Sequence, residues 1–137
     1  MKRSFGAALG LAFLGMAGAA GAGVEKCVMQ IGATQNYTIA PEILLSYDEA
    51  SKTMEIYDGL IANFNKETPI KVKLNSEKPN SRSFGWSLFM VNSHGQRTKM
   101  QYVASYFIDT KAIHVQARPI GYTNVYSAMG TCRAVKG

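Results

Sequence analysis

Along this chain the recurring hydrophobic period is two. Phe84, Trp86, Leu88 and Met90 alternate with Gly85 and Ser87, and Tyr102, Ala104, Tyr106 and Ile108 alternate with Val103, Ser105 and Phe107. Ile113, Val115 and Ala117 alternate with His114, Gln116 and Arg118. Successive side chains of a strand point to opposite faces, so each run predicts a strand with one face turned to a core. Residues 92–96 (Asn-Ser-His-Gly-Gln) and 109–111 (Asp-Thr-Lys) carry the turn formers that join neighbouring strands, and residues 43–47 and 53–57 flank a third such turn at 48–52. Residues 27–31, 37–40, 70–74 and 124–132 bring the expected count to eight or nine strands.

Parallel pairing needs helical crossovers, and the gaps between these runs are too short to hold them. The expectation is an all-β antiparallel meander whose last strand pairs the first, giving a closed or nearly closed barrel of lipocalin-like size, with a two-sheet sandwich as the alternative. Two stretches break the alternation. Residues 58–69 place Leu60, Ile61 and Phe64 at spacings one helical turn can use, but Gly59 and Pro69 argue for a loop or a single turn. Residues 75–83 (Asn-Ser-Glu-Lys-Pro-Asn-Ser-Arg-Ser) are polar throughout and read as the longest exposed loop.

The N-terminus has another grammar. Lys2 and Arg3 precede an uncharged apolar run over residues 5–16 and a small-residue stretch over 17–23, the layout of a secretory signal with cleavage expected after Ala22. The run is short and glycine-rich for a retained membrane anchor. Residues 23–137 would then form the single domain, in the periplasm or outside the cell. Cys27 and Cys132 are the only two cysteines, and an oxidising compartment predicts that they bond. Lipidation at Cys27 is disfavoured because Val24-Glu25-Lys26 precedes it.

A content of 47% hydrophobic and 18% charged residues excludes a disordered chain or a polyelectrolyte tail. The net charge of +6 includes Lys2 and Arg3, so loss of the signal would leave +4. His94 falls in an expected turn and His114 on the polar face of a strand, without the spacing of a metal site or an activated serine. Asp48, Glu49, Glu55 and Asp58 crowd one hairpin, which allows a small carboxylate-based hydrolase; solubilising charge is the preferred reading. Lys71, Lys73, Lys78 and Arg82 form a basic stripe that could meet phosphates, acidic polysaccharide or lipid headgroups, although lysines protecting an edge strand explain it as well. No metal ion, cofactor or nucleic acid is expected. Trp86, Tyr102, Tyr106, Tyr122 and Tyr126 fall in successive strands, where they either fill the core or line an apolar pocket with hydroxyls in it.

The run Arg118-Pro119-Ile120-Gly121-Tyr122-Thr123-Asn124, followed by Gly130-Thr131-Cys132, resembles the ending of small exported proteins of Gram-negative bacteria that have no assigned activity. The segments Tyr57-Asp58-Gly59-Leu60-Ile61 and Phe84-Gly85-Trp86 fit that likeness. It implies a cell-envelope location and brings no catalytic residues. Within it, Pro119 and Gly121 are expected to turn the chain, Tyr122 to cap the core, and Gly130 to leave room beside the disulfide. The function expected from all of this is a non-enzymatic binding module for a small apolar or amphipathic molecule or for an envelope protein. A structural or protein-interaction role is the alternative.

Overall fold

A computed structural model describes residues 23–32 and 38–135. The expected signal, residues 1–22, and Tyr37 lie outside the described residues. Nine strands follow one another: β1 (Val24–Gln30), β2 (Glu42–Asp48), β3 (Thr53–Asp58), β4 (Ile70–Lys73), β5 (Ser76–Lys78), β6 (Ser81–Val91), β7 (Arg97–Phe107), β8 (Ala112–Pro119) and β9 (Tyr126–Ala134). One short helix, α1 (Gly59–Phe64), interrupts them. All strands are antiparallel neighbours in a single sheet of order β4-β3-β2-β1-β9-β8-β7-β6-β5, so the described residues form one curled sheet, a half-barrel, rather than two stacked ones.

The last strand does pair the first, with Cys27 opposite Cys132, and the two are disulfide-bonded. The ends of the sheet lie elsewhere, at β4 and β5, which only Leu74 and Asn75 separate in sequence. Leu74 N donates to Lys52 O at 3.2 Å, on the β3 side, whereas Asn75 N donates to Ser83 O on β6 at 2.7 Å. The chain therefore changes ladder partner between two adjacent residues. At this corner the backbone itself spans the open side of the barrel, and side chains reinforce it: Tyr47 Oη donates to Glu77 at 3.2 Å and Lys52 Nζ lies 3.1 Å from the same carboxylate.

Inward positions follow the sequence period. Phe84, Trp86 and Leu88 of β6 lie opposite Ala104, Tyr102 and Met100 of β7, and these six are buried. Trp86 stacks on Tyr102 with ring centroids 5.1 Å apart and planes 5° from parallel, and Phe84 stacks on Trp86 at 6.0 Å. Small inward residues, Ala104, Ala117, Ala128 and Gly130, occupy the neighbouring strands and leave room for these rings.

Two local expectations are corrected and a third, the loop or single turn at 58–69, is settled for the helical turn. Residues 75–83 are not a loop but the β5–β6 hairpin, with Glu77 opposite Arg82 and Ser76 opposite Ser83; no β5 residue is buried, so the strand shows no alternation to read. Residues 59–64 form a real helix, begun by Asp58, whose side chain accepts from Ile61 N at 2.8 Å. Residues 38–40 are a bend rather than a strand, although Ile39 and Ala40 are buried.

Candidate functional site

The β6–β7 connection is a tight, internally bonded turn. Asn92 Oδ1 accepts from the backbone N of His94 at 2.9 Å and of Gln96 at 3.0 Å, and Gly95 takes a positive φ of 80° that glycine adopts without strain. This fixes the end of the hairpin, where Met90, Thr98 and Met100 turn inward. Facing them, α1 presents Leu60, Asn63 and Phe64, and Pro119 and Tyr126 of β8 and β9 complete the wall. The space between is a cleft of about 690 Å³, mostly apolar, with Thr38, Asn63, Asn92, Ser93 and Thr98 among its polar residues.

Two buried polar groups support this end of the barrel. Tyr102 Oη donates to Thr38 O at 2.7 Å and approaches Met90 Sδ at 3.6 Å, which ties the core stack to two residues of the cleft wall. Burial, then the nearby Asp58 carboxylate, push the Tyr102 phenol up, so it stays a neutral donor. Asp58 is itself buried at the foot of α1. Burial pushes its carboxyl up to about 6, against the opposing pull of the Ile61 and Leu60 backbone N–H groups.

At the opposite end is a smaller cavity of about 270 Å³, bordered by Glu25, Tyr47, Arg82 and Tyr106. Tyr106 Oη donates to Glu25 at 2.6 Å, and Lys111 Nζ lies 2.7 Å from the other oxygen of that carboxylate. Burial and then Glu25 push the Tyr106 phenol up to about 12. Arg82 packs its guanidinium 3.9 Å from the centre of the Tyr47 ring.

The five aromatic residues singled out in the sequence therefore do not meet in one place. Trp86 and Tyr102 pack in the core beneath the large cleft, Tyr126 lines that cleft, and Tyr106 borders the small cavity. Tyr122 is 64% exposed, in the connection between β8 and β9, and does not cap the core. Of the basic stripe, Lys71 and Lys73 are exposed on β4 and Lys78 on β5, while Arg82 turns inward.

The carboxylates are similarly dispersed. Asp48 is held in the β2–β3 turn by Ala50 N and Ser51 Oγ, Glu55 lies on the outer face opposite Ser46 and Lys71, and Asp58 caps α1. Among the described residues no three His, Cys, Asp or Glu side chains converge where they could hold a metal ion.

Sequence reading missed the walls of the cleft: Leu60, Asn63, Phe64, Met90 and Met100. The available signal was the one-turn spacing of Leu60 and Phe64 in a stretch with no strand to bury them. Comparison of the chain with family models, with curated proteins and with solved structures gave no match.

Proposed function

We propose that the protein is an exported, non-enzymatic binding module that takes a small amphipathic molecule into the cleft between α1 and the β6–β7 hairpin. The observation that carries this reading is the cleft itself: about 690 Å³, within the usual range for small-molecule sites, with apolar walls and a few polar groups. That combination suits a short aliphatic or aromatic body with one polar end. The disulfide fits assembly in an oxidising compartment, and no described helix is long and apolar enough to cross a membrane. Periplasmic or secreted placement is part of the proposal.

Native mass spectrometry of protein purified from an exporting host tests both halves at once. Removal of residues 1–22, loss of two hydrogens and a co-purified small molecule are the expected masses. In a second step, decanol and decanoate are titrated while the emission of Trp86 is followed. Trp86 is the single tryptophan, and its stacking partner Tyr102 touches Met90 and Thr38 of the cleft wall. Saturable emission changes that disappear in Phe64→Arg support the reading. Emission indifferent to both amphiphiles, with no adduct in the native spectrum, overturns it.

A further inference from the structure

Charge is divided unevenly between the two halves of the sheet. Residues 23–78 hold six basic and eight acidic side chains, a net of −2, whereas residues 79–135 hold six basic and a single acidic one, Asp109, a net of +5. Asp109 lies in the β7–β8 turn, tied by its backbone N to Asn80, at the far end of the hairpin from residues 92–96. Two of the six cations are engaged elsewhere: Lys111 with Glu25, and Arg82 with Tyr47 and Glu77. Arg97, Lys99 and Arg118 are exposed and have no acidic partner among the described residues.

The register gathers these three onto one face. On the outer side, Phe89 lies opposite Lys99, Val91 opposite Arg97, and Gln101 opposite Arg118. Ile120 joins the Lys99 row, its N donating to Lys99 O at 2.9 Å. Adjacent strands stand about 4.8 Å apart and alternate residues about 6.8 Å apart, so the whole set occupies a patch two to three rows deep. Its apolar members are exposed: Phe89 and Ile120 at 48%, Val91 at 44%, and Tyr122 at 64% in the following loop. The Arg97 guanidinium lies 4.4 Å from the Phe89 ring centre and the Lys99 ammonium 5.9 Å, so the cations surround an exposed aromatic ring.

We propose that this outer face of the β6–β7–β8 end docks on an anionic lipid bilayer. This surface offers two kinds of complementarity at once, charge and apolar area. A polyanion such as nucleic acid or acidic polysaccharide would engage the cations and leave Phe89, Val91 and Ile120 in water. A neutral apolar partner would desolvate three unpaired cations. The headgroup layer of an acidic membrane accepts both: phosphates for Arg97, Lys99 and Arg118, and the interfacial zone for exposed rings and aliphatic chains. This proposal is independent of the cleft reading.

The experiment is co-sedimentation with vesicles of phosphatidylcholine alone and of phosphatidylcholine mixed with phosphatidylglycerol, across a range of salt. All variants come from one exporting host, with matched N-termini checked by intact mass. Binding to the acidic vesicles that weakens with salt is expected, and Arg97→Gln/Lys99→Gln/Arg118→Gln should reduce partitioning about fivefold per cation, on the order of a hundredfold in all. Ile120→Ser/Tyr122→Ser should weaken binding without changing its salt dependence. The five positions are exposed, and unchanged Trp86 emission verifies the fold. Equal binding to neutral vesicles overturns the proposal. So does a triple variant that binds like the parent, loss of binding on removing the same charge at Lys71, Lys73 and Lys78 instead, or stronger retention on heparin or duplex DNA than on vesicles.

Discussion

Gly130 lies directly across the β1–β9 ladder from Met29, and a methyl group on its Cα would stand 2.8 Å from the Met29 sulfur and in hard contact with the Val28 carbonyl oxygen. The sulfur can swing away; the carbonyl belongs to the backbone and cannot. Glycine is thus required by space rather than by φ, and it lets β1 and β9 close up two residues from the disulfide. Gly130→Ala should destabilise the fold by about 1–3 kcal/mol, the usual cost of overpacking. Urea unfolding with the disulfide intact reads this directly, and an unchanged midpoint would show that the strands have slack.

The Cys27–Cys132 bond joins paired residues of adjacent strands, 105 positions apart in sequence. Its main effect is on the unfolded chain, where it forbids most extended states. Reduction, or Cys27→Ala/Cys132→Ala, should cost about 2–5 kcal/mol and steepen the denaturant dependence, because the open chain exposes more surface. The β1–β9 ladder remains in place without the bond, so the far-ultraviolet circular dichroism of the reduced protein in water should match that of the oxidised one. Loss of the sheet signal on reduction would contradict this.

The parts of the fold legible in the sequence are those where burial is one-sided. In β6, β7 and β8 every second residue enters the core, and Phe84, Trp86 and Leu88 announce it. Where burial is absent the signal is absent: Ser76, Glu77 and Lys78 pair as faithfully as any strand, yet at the sheet's end neither face is buried, and their polarity imitates a loop. Helix α1 has one buried residue, Ile61, and six residues cannot display a period. The cleft is harder still, because Thr38, Phe64, Met90, Pro119 and Tyr126 come from five separate segments and only the folded register assembles them. Alternation also says that Trp86 and Tyr102 point inward without saying whether the interior is packed or hollow. The small residues Ala104 and Ala117 beside them, which let the rings stack, decide that for the packed reading.

Tyr102 separates packing from hydrogen bonding in this core. Its ring stacks on Trp86 while its hydroxyl holds Thr38 O at 2.7 Å. Tyr102→Phe keeps the stack and should cost only about 0.5–1.5 kcal/mol, the net worth of one hydrogen bond. Tyr102→Ala removes the stack as well and should cost roughly 3–5 kcal/mol, with Trp86 emission shifted to the red as water enters. Equal losses in the two variants would place all the energy in the hydroxyl and none in the ring.

Asp58 gives stability a pH dependence of unusual sign for a carboxylate. Its ordinary value is 3.8 and burial raises it to about 6 in the fold, despite the bonds it accepts at the start of α1. Between these values the folded chain holds a proton that the unfolded chain has lost, so this group's contribution is most favourable below about pH 4, declines as pH rises to about 6, and is flat above. The difference corresponds to roughly 3 kcal/mol at neutral pH. Salt-bridged carboxylates such as Glu77, whose value is lowered by Lys52, act in the opposite direction, so the whole protein's profile is a sum and a variant is needed to isolate the term. Asn is as good a cap as Asp and does not titrate. Asp58→Asn should therefore match the parent near pH 4 and exceed it increasingly up to about pH 7, by up to about 3 kcal/mol. Urea midpoints for both proteins at several pH values test this, and parallel profiles would mean that Asp58 titrates in the fold as it does in the open chain.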